Sequence, residues 1–200
     1  MPKHFTILTE DLPSELVAIK LLKFVDPEVE VVNAIGRQGE GYVRSRLPNL
    51  NRAANQHLKV VALLDTDSLR ACPEDLIADA LGAPRNPFLS VRCPVTEIES
   101  WIMADAEALA TFLQIREAAI SDRPDEFEDA KIELRRLANS SPSVRIRSDF
   151  AGDLGVARPG PLYNPMLEEF LLNQWRPGHA ERRSPSLARA IPALRALVQA

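Results

Sequence analysis

Two short apolar runs in this 200-residue chain end in carboxylates. His4 to Thr9 (HFTILT) leads into Glu10 and Asp11, and Leu58 to Leu64 (LKVVALL) leads into Asp65-Thr66-Asp67-Ser68. Hard divalent cations such as Mg²⁺ take carboxylate oxygens, usually one or two, and leave their other positions to water and phosphate. Asp65 and Asp67, with one residue between them at the end of a strand, would supply two such groups with a turn between them. Glu10, from a neighbouring strand, would complete the site or serve as a general acid or base. A purely structural reading competes: aspartates favour turns and cap helices, and acidic residues suit helix N-termini.

A second acidic group lies in Thr96-Glu97-Ile98-Glu99-Ser100-Trp101. Glu97 and Glu99 are further candidate ligands, but Thr96 with Glu99 three positions later also fits a helix capping box, with Trp101 and Ile102 facing the core. A basic stretch carries Arg37, Arg44, Arg46, Arg52 and Lys59, opposed only by Glu40, and opens with Gly36-Arg37-Gln38-Gly39-Glu40-Gly41. No GK[ST] follows and the spacing is not GxGxxG, so neither nucleotide-loop motif is present. The stretch is either a phosphate-binding edge beside the carboxylates or a solvated helix face. His4, His57 and His179 have no metal-ligand spacing, and no Ser/His/Asp or Cys/His set is defined. Arg145, Arg147, Asp149 and Tyr163-Asn164 are further polar candidates in a late loop.

The carboxylates meet only if the runs that carry them are adjacent strands. The β-rich run at 4–9 is followed by a helix opening at Asp11-Leu12-Pro13 and continuing to Phe24, with proline tolerated in the first turn. Val29 to Ile35 reads as a second strand closed by Gly36, and 41–55 as a helix bent or interrupted at Pro48. The nearly continuous apolar run 58–64 suits a central parallel strand covered on both faces. A helix from Cys72-Pro73 to Leu81, a strand at 88–95 and a helix at 96–104 follow. This alternation predicts an α/β fold with a parallel four-stranded sheet flanked by helices, joined by right-handed crossovers. After residue 105 strand signals vanish, and helices are expected at 105–115, 124–139, 164–174 and 185–198. Asn164-Pro165 and Ser184-Pro185 resemble N-caps followed by proline, and 140–163 reads as an ordered loop. The expected organisation is an α/β core over 1–105 and a helical extension over 106–200 packed on it.

Composition narrows the function classes. The net charge of −4 gives no global basic footprint, so any nucleic-acid contact must come from a local patch. The 6% aromatic content argues against a single-strand binder built on stacking platforms. Residues 60–140 are acidic, whereas 37–59 and 176–195 are basic. Cys72 and Cys93 form no zinc or redox spacing and read as buried free thiols. No signal peptide and no apolar stretch near the roughly 20 residues of a membrane span are evident, which predicts a cytoplasmic protein.

A first strand ending in glutamate, then a helix, then a hydrophobic strand ending in DxD resembles the Toprim fold of topoisomerases, primases and overcoming-lysogenization-defect nucleases. The matching pieces are Ile7-Leu8-Thr9-Glu10 with Ser14-Glu15, Gly36-Arg37-Gln38-Gly39 and Leu63-Leu64-Asp65-Thr66-Asp67. Glu97 to Asp105 and Ser184-Pro185-Ser186-Leu187 extend the likeness to small bacterial Toprim-like proteins often encoded beside an AAA or ABC-type ATPase. The resemblance implies Glu10 as general acid/base, Asp65 and Asp67 as ligands of Mg²⁺ (or Mn²⁺), and Glu97 or Glu99 as additional acidic members. On it rest the expectations of a nuclease cleaving DNA or RNA, of a bacterial anti-phage setting and of an ATPase partner. Arg37, Arg44, Arg46 and Arg52 would then hold the nucleic-acid backbone, and a homo-oligomer is compatible. The glycine that usually follows the Toprim glutamate is Asp11 here, a further carboxylate that would recruit a second metal or mark a site turned away from catalysis. The alternative is a non-catalytic, partner-binding subunit of an ATPase complex.

Overall fold

The structure is a computed structural model, and it describes residues 3–200. Four strands, β1 (Lys3–Thr9), β2 (Val29–Gly36), β3 (Lys59–Leu63) and β4 (Leu89–Arg92), form one all-parallel sheet in the order β2-β1-β3-β4. β1 and β3 are central, and every residue of β3 is buried. Their side chains alternate between two apolar layers, as the period of a strand requires. Phe5, Ile7, Val61 and Leu63 point to one face, and Leu8, Val60, Ala62 and Leu64 to the other.

The second face is covered by α2 (Glu40–Ala53) and α3 (Pro73–Leu81), which contribute Val43, Leu47, Ala80 and Leu81. The first face carries α1 (Leu12–Val25) and, beyond it, the helical C-terminal half. That half comprises α4 (Glu99–Met103), α5 (Ala106–Leu113), α6 (Ala130–Asn139), α7 (Tyr163–Asn173), α8 (Pro177–Ala180) and α9 (Pro185–Gln199). Phe150, Phe170, Trp101, Trp175 and Leu187 join the strand residues in one continuous apolar cluster.

The helix starts follow from short-range chemistry. The Asp11 carboxylate accepts the Ser14 N–H at 2.9 Å and Pro13 sits in the first turn, which together begin α1. The Ser184 hydroxyl accepts the Leu187 N–H at 3.1 Å ahead of Pro185, which begins α9 as anticipated.

Several expectations are corrected. The stretch 124–139 is not one helix: a 3₁₀ turn at Pro124–Glu126 stops, and Asp129 starts α6 afresh by accepting the Ile132 N–H at 2.7 Å. Asn164 does not cap α7, which already begins at Tyr163 and has no side-chain cap. Thr96 and Glu99 form no capping box, because α4 begins at Glu99 and the Thr96 hydroxyl donates to the Val95 and Phe127 carbonyls. Pro48 lies inside α2 without interrupting it, and the loop 140–163 contains a π-helical turn, Ile146–Ala151. Both thiols are free, but neither is fully buried: Cys72 is exposed and Cys93 half-buried.

Arg135 organises the rest of that loop. It is 1% exposed, and its guanidinium donates to the carbonyls of Ala151, Asp153, Val156, Ala157 and Arg158 at 2.6–3.2 Å. Lysine cannot reproduce this planar fork. Arg135→Lys is therefore expected to lower stability by about 2–4 kcal/mol, read as a fall in the urea midpoint. An unchanged midpoint would mean that the loop holds its shape without this residue.

Candidate functional site

In an open parallel sheet the crevice lies beyond the carboxyl ends of the strands, where the chain order reverses. Here β1 connects outward to β2 on one side, and the chain then returns to place β3 on the other. The switch point is between β1 and β3, the two strands that end in Glu10 and Asp65. The Asp65 N–H faces the Glu10 carboxylate at 3.4 Å, so the structure brings these two predicted residues together.

The turn after β2 holds Glu10 in place. Gly36 has φ +139°, and a Cβ there would stand 1.8 Å from the Thr9 carbonyl oxygen, so only glycine lets the ends of β1 and β2 approach. Beyond it, the Arg37 N–H donates to the Thr9 carbonyl at 3.2 Å and the Gly39 N–H to the Glu10 carbonyl at 3.0 Å. On the other side, Asp67 and Thr96 both adopt left-handed backbone conformations, with φ 52° and 57°. The strand-end loops are cross-linked there. The Asp67 N–H donates to the Thr96 carbonyl at 3.0 Å, and the Thr96 N–H to the Thr66 hydroxyl at 2.7 Å. A β-branched residue in this region costs on the order of 1–3 kcal/mol, a strain characteristic of sites that must hold a set geometry.

The electrostatics are those of crowded like charges. Burial pushes the Glu10 carboxyl up to about 7; the Asp65 N–H opposes the shift, and Asp67, Glu40 and Asp11 add to it. Burial raises Asp65 well above the usual carboxylate range, reinforced by Glu10, Glu99, Asp11 and Asp67. Asp67, although exposed as a residue, is also raised, by partial desolvation of its carboxyl and by Glu40, against the pull of Arg44 and Lys131.

Glu99, whose charge reaches Asp65, shares a lysine with Glu97. The Lys131 ammonium is 3.4 Å from each carboxylate, and its backbone N–H donates to Glu97 at 2.8 Å. The Tyr163 hydroxyl donates to one Glu99 oxygen at 2.9 Å, while the other Glu99 oxygen is buried without a partner. Burial carries Glu99 up to about 6 despite Lys131. Burial alone would lower Lys131, but Glu99, Glu97 and Asp11 raise it.

Lys131 escaped the sequence reading, although one signal was present. A lysine two residues after an N-capping aspartate sits at the positive end of a helix, where a cation is unfavourable without acidic neighbours. Tyr163, one of several polar candidates, does reach the site, whereas the Arg147 side chain turns away to the Ser141 carbonyl. Asp11 is occupied in capping α1.

The four predicted arginines all have partners within the chain. Arg37 forms a two-pronged pair with Glu15 at 2.8 and 2.6 Å, and Arg44 pairs with Glu40 one helical turn away. Arg46 lies over the Tyr42 ring at 4.9 Å, and Arg52 bonds to Asn49. Arg44 is the member whose charge reaches Asp67.

Among the described residues no group of three or more His, Cys, Asp or Glu side chains is spaced to surround one metal ion. The donor chemistry nonetheless suits a hard divalent cation. Mg²⁺ is commonly held by one or two carboxylates with water completing its shell, and it would offset the Glu10, Glu99, Asp11 and Asp67 charges that raise the Asp65 carboxyl. No protein-family model, curated protein or solved structure matches the chain. No helix of the described residues is long and apolar enough to cross a membrane.

The raised carboxyls make stability depend on pH. A carboxyl whose folded pKa exceeds its unfolded value binds its proton more tightly in the folded state. Its contribution is therefore complete below the unfolded value of 4.5 and is lost as pH rises through about 6 for Glu99 and about 7 for Glu10. The metal-free chain is expected to lose stability between about pH 5 and about pH 8. Glu10→Gln should flatten part of that slope and raise stability at the upper end by about 1 kcal/mol, a figure discounted for the partial exposure of Glu10. Equal slopes in urea titrations of the two proteins would show that Glu10 ionises without strain.

Proposed function

We propose that this chain is a divalent-metal-dependent phosphodiester hydrolase of Toprim type, acting on DNA or RNA. The observation that carries the reading is the meeting of Glu10 and Asp65 at the β1/β3 switch point, where the Glu10 carboxylate accepts the Asp65 N–H and its charge raises the Asp65 carboxyl. Asp65 and Asp67 would hold Mg²⁺ or Mn²⁺, which when bound supplies charge stabilisation at a phosphate. Glu10, with its carboxyl near 7, is suited to give or take a proton at the attacking or leaving oxygen near neutral pH. Arg44, beside Asp67, is the best placed of the basic residues to meet a phosphate backbone. The resemblance to ATPase-associated Toprim-like proteins suggests a cytoplasmic, anti-phage setting in which an AAA or ABC-type ATPase gates cleavage.

A second reading is a non-catalytic, partner-binding subunit. It draws on Lys131, which already pairs with both Glu97 and Glu99, and on the internal partners of Arg37, Arg44, Arg46 and Arg52. Cleavage of plasmid and of single-stranded DNA and RNA in Mg²⁺ or Mn²⁺, with and without a candidate ATPase, separates the two. Metal-dependent cleavage lost in Glu10→Ala supports the hydrolase. No cleavage in any condition, with no metal binding by calorimetry, favours the subunit.

A further inference from the structure

The sheet edge farthest from β2 carries a second group of polar side chains that the carboxylate centre does not use. Along β4, Leu89 and Val91 enter the apolar layer under α2 and α3, which leaves Ser90 and Arg92 on the opposite face. That face is covered by the C-terminal part of α9. There α9 presents small side chains, Ala193 and Ala196 among them, and a cavity of about 430 Å³ remains between helix and strand. Its size is that of a small-molecule site.

The cavity wall is polar on one side and apolar on the other. Ser90 is 5% exposed, and its hydroxyl has no hydrogen-bond partner; the Arg92 Nε is likewise buried without one. Such orphaned donors are rare in folded proteins and point to a missing acceptor. Arg85 lines the same space, and among the described residues neither Arg85 nor Arg92 has a carboxylate within 4.0 Å. Burial first, and then the Arg85 charge, lower the pKa of Arg92, as expected for two cations that share one space. Opposite them, Ala193, Ala196 and Leu197 form an apolar wall.

We propose that this cavity binds a phosphate monoester carried on a small apolar body. The phosphate lies between Arg85 and Arg92 with the Ser90 hydroxyl as a further donor, and the body rests on Ala193, Ala196 and Leu197. Guanidinium groups match phosphate oxygens in paired, charge-assisted hydrogen bonds, and two of them call for a dianion rather than a single carboxylate. The site lies across the sheet edge from the strand β2 and is independent of whether Glu10 and Asp65 are catalytic.

Calorimetric titration of the full chain with phenyl phosphate, inorganic phosphate and benzoate tests this directly. Phenyl phosphate is expected to bind more tightly than either of the others, and Arg92→Gln to weaken it on the order of 10-fold or more. Arg85→Gln changes an exposed side chain, so it supplies the same test if Arg92→Gln fails to fold. Asp65→Asn should leave the affinity unchanged. The proposal is overturned if phenyl phosphate gives no heat at about 10 mM, a concentration at which only binding weaker than about −3 kcal/mol would escape. It is also overturned if benzoate binds as well, if both arginine variants bind normally, or if Asp65→Asn abolishes binding.

Discussion

Asp65→Asn is expected to abolish metal-dependent cleavage while making the folded chain more stable. The two effects have one cause. Asp65 is half-buried beside Glu10, Glu99, Asp11 and Asp67, and desolvation and all four charges raise the cost of ionising it. Asparagine keeps the shape and removes the charge, so the repulsion disappears. A gain of roughly 3–6 °C in Tm is expected for a chain of this size, measured without metal. Under the proposed function the same charge is what holds the cation, whose loss removes several kcal/mol of charge stabilisation. The rate should fall on the order of 10³-fold or more. Such an opposition between stability and activity marks a residue retained for chemistry at the fold's expense. A variant that lost activity and stability together would make Asp65 a structural residue. A more stable variant that still cleaved would remove it from the chemistry.

Gly36→Ala is expected to have the largest effect on the fold. The added methyl would stand 1.8 Å from the Thr9 carbonyl oxygen and 2.9 Å from its carbon, and both contacts are with backbone in a central strand. No side chain can move aside to relieve them, and φ +139° is itself unfavourable for any residue with a Cβ. The ends of β1 and β2 must part, at a cost of about 3 kcal/mol or more. Parting them also breaks the Arg37 N–H and Gly39 N–H contacts that set the position of Glu10. Where the variant still folds, the Glu10 carboxyl should return toward its ordinary pKa, a change that carbon-detected NMR titration would read. A urea midpoint within about 0.5 kcal/mol of the parent would show that the turn relaxes cheaply.

The local features of the chain were legible in its sequence wherever the deciding forces act between near neighbours. The strand Lys59–Leu63 declares itself by a nearly continuous apolar run over 58–64, Ser184-Pro185 by its cap, and Gly82 by the left-handed residue that ends α3. The order of strands and helices follows from these, and so does the parallel four-stranded sheet. Where a short-range signal had a competitor, the sequence misled. Thr96-x-x-Glu99 reads as a capping box, but burial of Glu99 against Tyr163 and Lys131 outweighs the cap. Asp129 interrupts a stretch whose periodicity alone would continue as helix.

What the sequence by itself determined is the inventory at the strand ends: Glu10, Asp11, Asp65 and Asp67 follow apolar runs, and their spacing allows them to meet in a parallel sheet. Only the tertiary structure decided which of them do. Strand order puts β1 beside β3, so Glu10 and Asp65 share one crevice although 55 residues separate them. It also brings Lys131 and Tyr163 to Glu99, and gives the basic residues at 37–52 partners inside the chain. The physical reason is range. Capping, turn and strand preferences act over a few residues along the chain, whereas desolvation and charge repulsion depend on which groups the packed layers leave together.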